Sequence, residues 1–189
     1  MSDLEYDFRY LEAGLANLDE YLYSDEVYWP LQAVSLPGAP PFPQLTLDGL
    51  LLAAARLQAR NLDFQDKARL VRLEDELQAH RSRRRVAWET KATRNFGARL
   101  TLWRNFLEEL RDDPDAHADR YAYEVTRRVQ LALLADDARG RSQAEDELLG
   151  LLDTVLQSLW VPGEFIWDAE LEQGFDKSSF WFLYGHLEP

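Results

Sequence analysis

His80, Arg81, Arg84, Arg85 and Trp88 bring a proton carrier, three guanidinium forks and a stacking ring into nine consecutive positions. Projected at about 100° per residue, the segment 70–110 places Leu70, Leu73, Leu77, Trp88, Ala92, Leu102, Trp103, Phe106 and Leu110 on one broad apolar stripe. His80, Arg81, Arg84, Asn95 and Arg99 fall on the same stripe, with Arg85 and Lys91 at its edges. Charge in the middle of an apolar face needs partners, because uncompensated burial is costly. One arrangement that supplies them is a ligand pocket, in which the arginines clamp a carboxylate or phosphate and Trp88 forms a stacking wall. The other is a helix break that resets the phase, so that the arginines pair with acids of other helices or lie at a solvated elbow. Length favours the break. An unbroken helix over 65–111 would run about 70 Å, against a diameter of roughly 40 Å for a compact chain of this size. The break is expected near His80 to Arg85, with Ser82 as a possible new start and Gly97 as the other weak point.

No second constellation competes with this one. The nine glycines form neither a dinucleotide fingerprint nor a phosphate-binding loop, and no serine sits in a nucleophile elbow. The three histidines, at 80, 117 and 186, are scattered, and none follows a glutamate by three residues as in di-iron bundles. Glu76 with His80, and Asp113 with His117, have helical metal-ligand spacing, but two-residue matches are common and no metal site is assigned. Zero cysteines exclude disulfides, thiolate metal sites and a cysteine nucleophile. Carboxylate pairs such as Asp25-Glu26 and Asp136-Asp137 arise readily among 34 acids and specify no reaction. No catalytic residue and no cofactor is expected.

The elements that must position these residues read as helices. Leu4, Phe8, Leu11, Leu15, Leu18 and Leu22 recur at three- and four-residue spacing and predict a helix over 4–22. Prolines 30, 37, 40, 41 and 43 exclude regular helix from the next stretch, and its apolar residues predict an ordered irregular connection over 24–45 packed across the helices. Thr46 can cap a helix to about Arg60, and Asp63 or Gln65 can open the next. Asp112-Asp113-Pro114 stops the following segment, and 115–137 reads as one helix. Arg139-Gly140-Arg141 makes a turn. Ser142 with Glu145 is a capping box ahead of Leu148, Leu149, Leu151, Leu152, Val155, Leu156, Leu159 and Trp160, a breadth of apolar positions that predicts the central core helix. Residues 164–189 carry aromatics without helical period and predict a packed C-terminal arm. The fold class expected is all-α: a single-domain helical bundle over 1–189, of about five or six helices, with a proline-rich crossover.

Charge is segmented along the chain. Residues 1–55 hold one base and nine acids, 56–111 hold fourteen bases and eight acids, and 112–189 hold six bases and seventeen acids, for a net charge of −13. A basic middle between acidic ends either exposes a polyanion-binding patch or pairs internally. The overall negative charge argues against nucleic acid as a partner. No apolar run reaches the length of a membrane span and the N-terminus is acidic, so a cytoplasmic protein with no membrane association is expected.

Aromatic residues concentrate at Tyr21–Pro30 and Phe175–Tyr184, and dense aromatic clusters serve either as core or as interface hot spots. Tyr28, Trp29, Trp167 and Trp181 are the interaction candidates. The segment Ser24 to Leu31, together with the ending Phe180-Trp181-Phe182-Leu183-Tyr184-Gly185, resembles an uncharacterised bacterial all-helical protein family; the resemblance implies a helical fold and no mechanism. The leading expectation is a non-catalytic protein-interaction or scaffold protein, binding another protein or forming a homodimer. The alternatives are an enzyme or sensor with an Arg/Trp-lined pocket for an anionic ligand, and a polyanion binder using the basic middle.

Overall fold

The computed structural model of the chain describes residues 4–187. It is mostly helical: α1 (Leu4–Tyr23), α2 (Leu47–Ala59), α3 (Phe64–Arg83), α4 (Arg85–Asp112), α5 (Pro114–His117), α6 (Tyr121–Glu124), α7 (Thr126–Leu134) and α8 (Gln143–Leu159). Three caps read from sequence form as expected. Thr46 accepts from the Gly49 amide, Asp63 accepts from the Asp66 amide, and Ser142 with Glu145 makes the reciprocal capping box of α8.

The stripe of α1 is buried at Phe8, Leu11, Leu15, Leu18 and Leu22 and packs on α2 and α3. The core centres on α4, whose Trp88, Phe96, Leu100, Trp103, Phe106, Leu107 and Leu110 meet α2, α7 and α8. Gly97 does not break α4. A Cβ there would approach within 3.1 Å of Glu145 Oε1, so the glycine makes room for the start of α8. The helix expected over 115–137 is instead divided into α5, a 3-10 turn over Ala118–Arg120, α6 and α7.

The reading of α8 as the central helix is corrected. Only Leu152 and Leu156 are buried within it, Leu151 is 65% exposed, and a Cβ on Gly150 would meet nothing. The helix packs on α4 along one side, so its broad apolar circumference is covered on one face only.

The proline-rich connection is ordered by its ends and its middle. Trp29 and Leu45 exchange backbone hydrogen bonds of 3.0 and 2.8 Å in an isolated antiparallel bridge, and Phe42 packs on the rings of Tyr6 and Tyr10. The C-terminal arm lies back on the helices, with Leu171, Phe175, Phe182 and Leu183 buried. Its closure uses a strand pair that periodicity did not signal: β1 (Trp160–Pro162) runs antiparallel to β2 (Gly185–Leu187). Gly185 is required there, because a Cβ would fall 2.3 Å from Val161 O and 2.4 Å from the Trp160 ring. Gln173 donates to Ala59 O, the Tyr121 hydroxyl donates to Phe182 O, and Arg60 bridges the buried Asp7 of α1 at 2.7 Å and Glu170 of the arm at 2.9 Å.

Candidate functional site

A single residue, Arg84, separates α3 from α4; its amide donates to His80 O and its backbone leaves the helical region with ψ of 32°. Ser82 stays within α3 and caps nothing, which corrects the expectation that it starts the next helix. Asp19 of α1 pins the elbow from below. Both of its oxygens take the Arg84 fork, at 3.0 and 2.8 Å, and Oδ1 also meets His80 Nδ1 at 2.9 Å. The Arg84 guanidinium holds the Asp19 carboxyl below its ordinary range.

The five residues singled out from sequence therefore do not share a pocket. His80 and Arg84 converge on Asp19, Arg81 forks onto Asp137 at 2.9 and 2.6 Å, and Arg85 reaches Glu89 one turn along its own helix. Trp88 is buried in the core, where its indole N–H has no hydrogen-bond partner. It is no stacking wall. The elbow keeps the apolar face in phase, since Leu77 before it and Trp88 and Ala92 after it are all buried, while Arg85 stays at the surface and Arg84 is half-exposed.

The cleft that does form at the elbow has a volume of about 520 Å³. Leu22, Tyr23, Ser24 and Asp25 line one side; Arg83, Arg84, Arg85, Val86, Ala87 and Arg94 line the other. Tyr23 is 69% exposed and Val86 79%, so two large apolar groups face solvent beside the cationic rim. Arg83 forms no ion pair among the described residues, unlike Arg84 on Asp19 and Arg94 on Asp25. Arg83, Tyr23 and Val86 lie off the apolar stripe, and selecting residues on that stripe missed them for the very reason that they face water.

Behind the cleft, Lys91 is 1% exposed and anchors the turn that forms its wall. Its Nζ donates to Ser24 O at 2.8 Å, Ser24 Oγ at 3.1 Å and Glu26 O at 2.8 Å, and lies 4.2 Å from the centre of the Tyr21 ring. Burial, aided by the Arg94 charge and opposed by Asp25 and Glu26, pushes the ammonium down from 10.5 to about 8. Below about pH 8 the group is protonated whether the chain is folded or unfolded. Between about 8 and 10.5 the unfolded chain holds a proton that the folded chain sheds, so this group's contribution to stability rises with pH across that window. A neutral amine keeps two N–H donors for the two carbonyls. Direct ¹⁵N titration of Lys91 Nζ is expected to show a midpoint near 8, and a midpoint at the ordinary lysine value would contradict this.

No protein-family model, curated protein or solved structure matches the chain. Among the described residues no cluster of three or more His, Asp or Glu side chains could hold a metal ion, and no helix is long and apolar enough to cross a membrane. Nine arginines of the basic middle pair with carboxylates: Arg60, Arg69, Arg81, Arg84, Arg85, Arg94, Arg99, Arg104 and Arg111. Six of the acids they meet, Glu5, Asp7, Glu12, Asp19, Asp25 and Asp48, come from the acidic N-terminal segment.

The aromatic interaction candidates do not assemble into one patch. Tyr28 is 38% exposed beside Arg99, while Trp29 is half-buried against Tyr21. Trp181 packs edge-on against Trp160, and Trp167 packs edge-on against Phe175 while its indole donates to Ala122 O. Three of the four are thus tied into the fold, and the exposed aromatic at the cleft is Tyr23.

Proposed function

We propose that the chain, folded as a single-domain helical bundle, is a non-catalytic protein-interaction module that docks an acidic segment of a partner protein in the elbow cleft. The observation that carries this reading is the juxtaposition of Arg83, without an ion pair among the described residues, and Arg85, which pairs with its helical neighbour Glu89, with the exposed Tyr23 and Val86. An i,i+4 pair at the surface is worth only about 0.3–0.5 kcal/mol, so Arg85 exchanges Glu89 for a partner carboxylate at little cost. Arginine beside an exposed aromatic is the composition of interface hot spots. On a chain of net charge −13, a local excess of guanidinium also selects acidic partners by steering. The occupant that fits is a segment with carboxylates flanking one apolar side chain, the latter seated on Tyr23 and Val86.

A fluorescein-labelled peptide with two glutamates on each side of a Leu-Phe core is the probe, read by anisotropy. Saturable binding that weakens with added salt is expected, with at least about a tenfold loss in the double variant Arg83→Glu/Arg85→Glu. Both arginines are exposed, so that variant keeps the fold. Equal affinity for the charge-reversed protein, or for a peptide with lysines in place of the glutamates, would refute the docking site.

A further inference from the structure

A second cavity shares no lining residue with the elbow cleft. Its volume is about 240 Å³, and Tyr6, Tyr10, Arg56, Arg99, Tyr123 and Gln130 are among its walls. Arg56, Tyr123 and Thr126 also line an adjoining cleft of about 340 Å³ that reaches Trp167 in the arm. Arg56 therefore stands where the two spaces meet.

The state of Arg56 is unusual for this chain. Its guanidinium carbon lies 5.3 Å from the centre of the Trp167 ring, it forms no ion pair among the described residues, and its buried Nε has no hydrogen-bond partner. The acids within its field are otherwise placed. Asp7, itself in the wall of the inner cavity, is engaged by Arg60 at 2.7 Å, and Asp168 is exposed at the edge of the outer cleft. The other guanidinium of the cavity, on Arg99, is held by Asp48 at 2.5 Å. Burial lowers the affinity of Arg56 for its proton, with Asp7 opposing and Arg60 reinforcing the shift, yet an arginine remains charged. The residue is half-buried, and a guanidinium whose Nε is buried without an acceptor carries a desolvation cost that a bound anion offsets.

We propose that Arg56 anchors a binding site for a small ring-bearing monocarboxylate, whose carboxylate takes the guanidinium fork and whose ring lies against Tyr6, Tyr10 and Tyr123. Each part of the ligand answers one feature of the cavity. The Arg56 guanidinium lies beside the indole without an ion pair among the described residues, and its N–H edge matches the two oxygens of a carboxylate. One unpaired positive charge, with Asp7 and Asp168 in range, favours a monoanion over a phosphate dianion. Tyrosine walls favour a ring. The volume equals that of roughly eight waters at about 30 Å³ each, the scale of a benzoate and well short of a nucleotide.

The indole N–H of Trp167, which donates to Ala122 O at 3.0 Å, is a reporter beside Arg56 for ¹⁵N NMR titration, assigned with Trp167→Phe. Benzoate is expected to shift it saturably, and benzamide and inorganic phosphate are expected to bind at least about tenfold more weakly. Arg56→Gln should lose at least about tenfold in benzoate affinity, and Arg56→Lys, which keeps the charge without the fork, should also weaken it. Tyr123→Ala supplies a variant at a 76% exposed position that leaves the fold intact and should reduce affinity. Arg83→Glu/Arg85→Glu should leave benzoate binding unchanged, which separates this site from the docking cleft. A non-saturating shift, equal response to benzamide or phosphate, or unchanged affinity in the folded Arg56 and Tyr123 variants would overturn the proposal.

Discussion

Phe182→Ala should cost about 3–5 kcal/mol, and a chain ending at Val161 should fail to fold. Phe182 has no exposed surface. Its ring lies 5.6 Å from that of Trp181 and 6.1 Å from that of Phe180, the Arg128 guanidinium carbon sits 4.6 Å from its centre, and its carbonyl accepts the Tyr121 hydroxyl at 2.6 Å. Deleting the ring leaves a cavity that fixed neighbours cannot collapse into. Ending the chain at Val161 goes further, because Leu171, Phe175 and Leu183 leave with it and the partners of β1, Arg60 and Ala59 O are lost. Urea unfolding of the point variant and thermal melting of the shortened chain measure the two effects. A shortened chain that melts at the parent temperature would mean that the arm covers no core, and that its aromatics serve another surface.

The second large effect belongs to Asn95. Its Oδ1 accepts the Leu47 amide at 2.8 Å, and its Nδ2 donates to the Tyr21 hydroxyl at 3.0 Å. That hydroxyl has one proton, which goes to Val27 O at 2.9 Å. One buried amide thus serves the first N–H of α2, the end of α1 and the start of the proline-rich connection. Asn95→Leu keeps the size of the side chain but strands the Leu47 N–H and removes a donor from Tyr21. A loss of about 2–4 kcal/mol is expected, since each stranded buried polar group costs about 1–3 kcal/mol. Amide hydrogen exchange at Leu47 should accelerate in the same variant. A change below about 0.5 kcal/mol would show that water or a backbone shift replaces the amide.

The sequence foretold what depends on spacing and local chemistry. The stripe of α1 and the caps at Thr46, Asp63 and Ser142 follow from residue types a turn or two apart. Length alone foretold the elbow. What escaped depends on which face a neighbour covers: α8 is as apolar as a central helix, yet α4 packs along one side of it and α7 meets it through the Arg128–Asp153 pair, which leaves Leu151 exposed. Placing Asn95, Arg99 and Lys91 on the apolar face correctly demanded partners, but those partners lie 48 to 74 positions away and no local pattern names them. The grouping of His80, Arg81, Arg84, Arg85 and Trp88 failed as a pocket because the fold gives each cation a carboxylate, Asp19, Asp137 or Glu89, and takes Trp88 into the core. Arg56 was invisible for a different reason: its sequence neighbours are ordinary, and what distinguishes it is an acceptor that the fold does not provide.

The contacts that fasten the arm to the helices also bear on how long a folded molecule lasts. Gln173 reaches Ala59 across 114 residues and Glu170 reaches Arg60 across 110. Pairings so distant reward the chain only after their loops close, so they belong late in folding, after α1, α2 and α4 have met. Interactions made after the rate-limiting step barely alter the rate of folding and act almost wholly on the rate of escape. The arm is in that sense a latch: Phe182→Ala should leave the refolding limb nearly unchanged and hasten unfolding, so that the last segment sets the lifetime of a structure whose framework the earlier segments define.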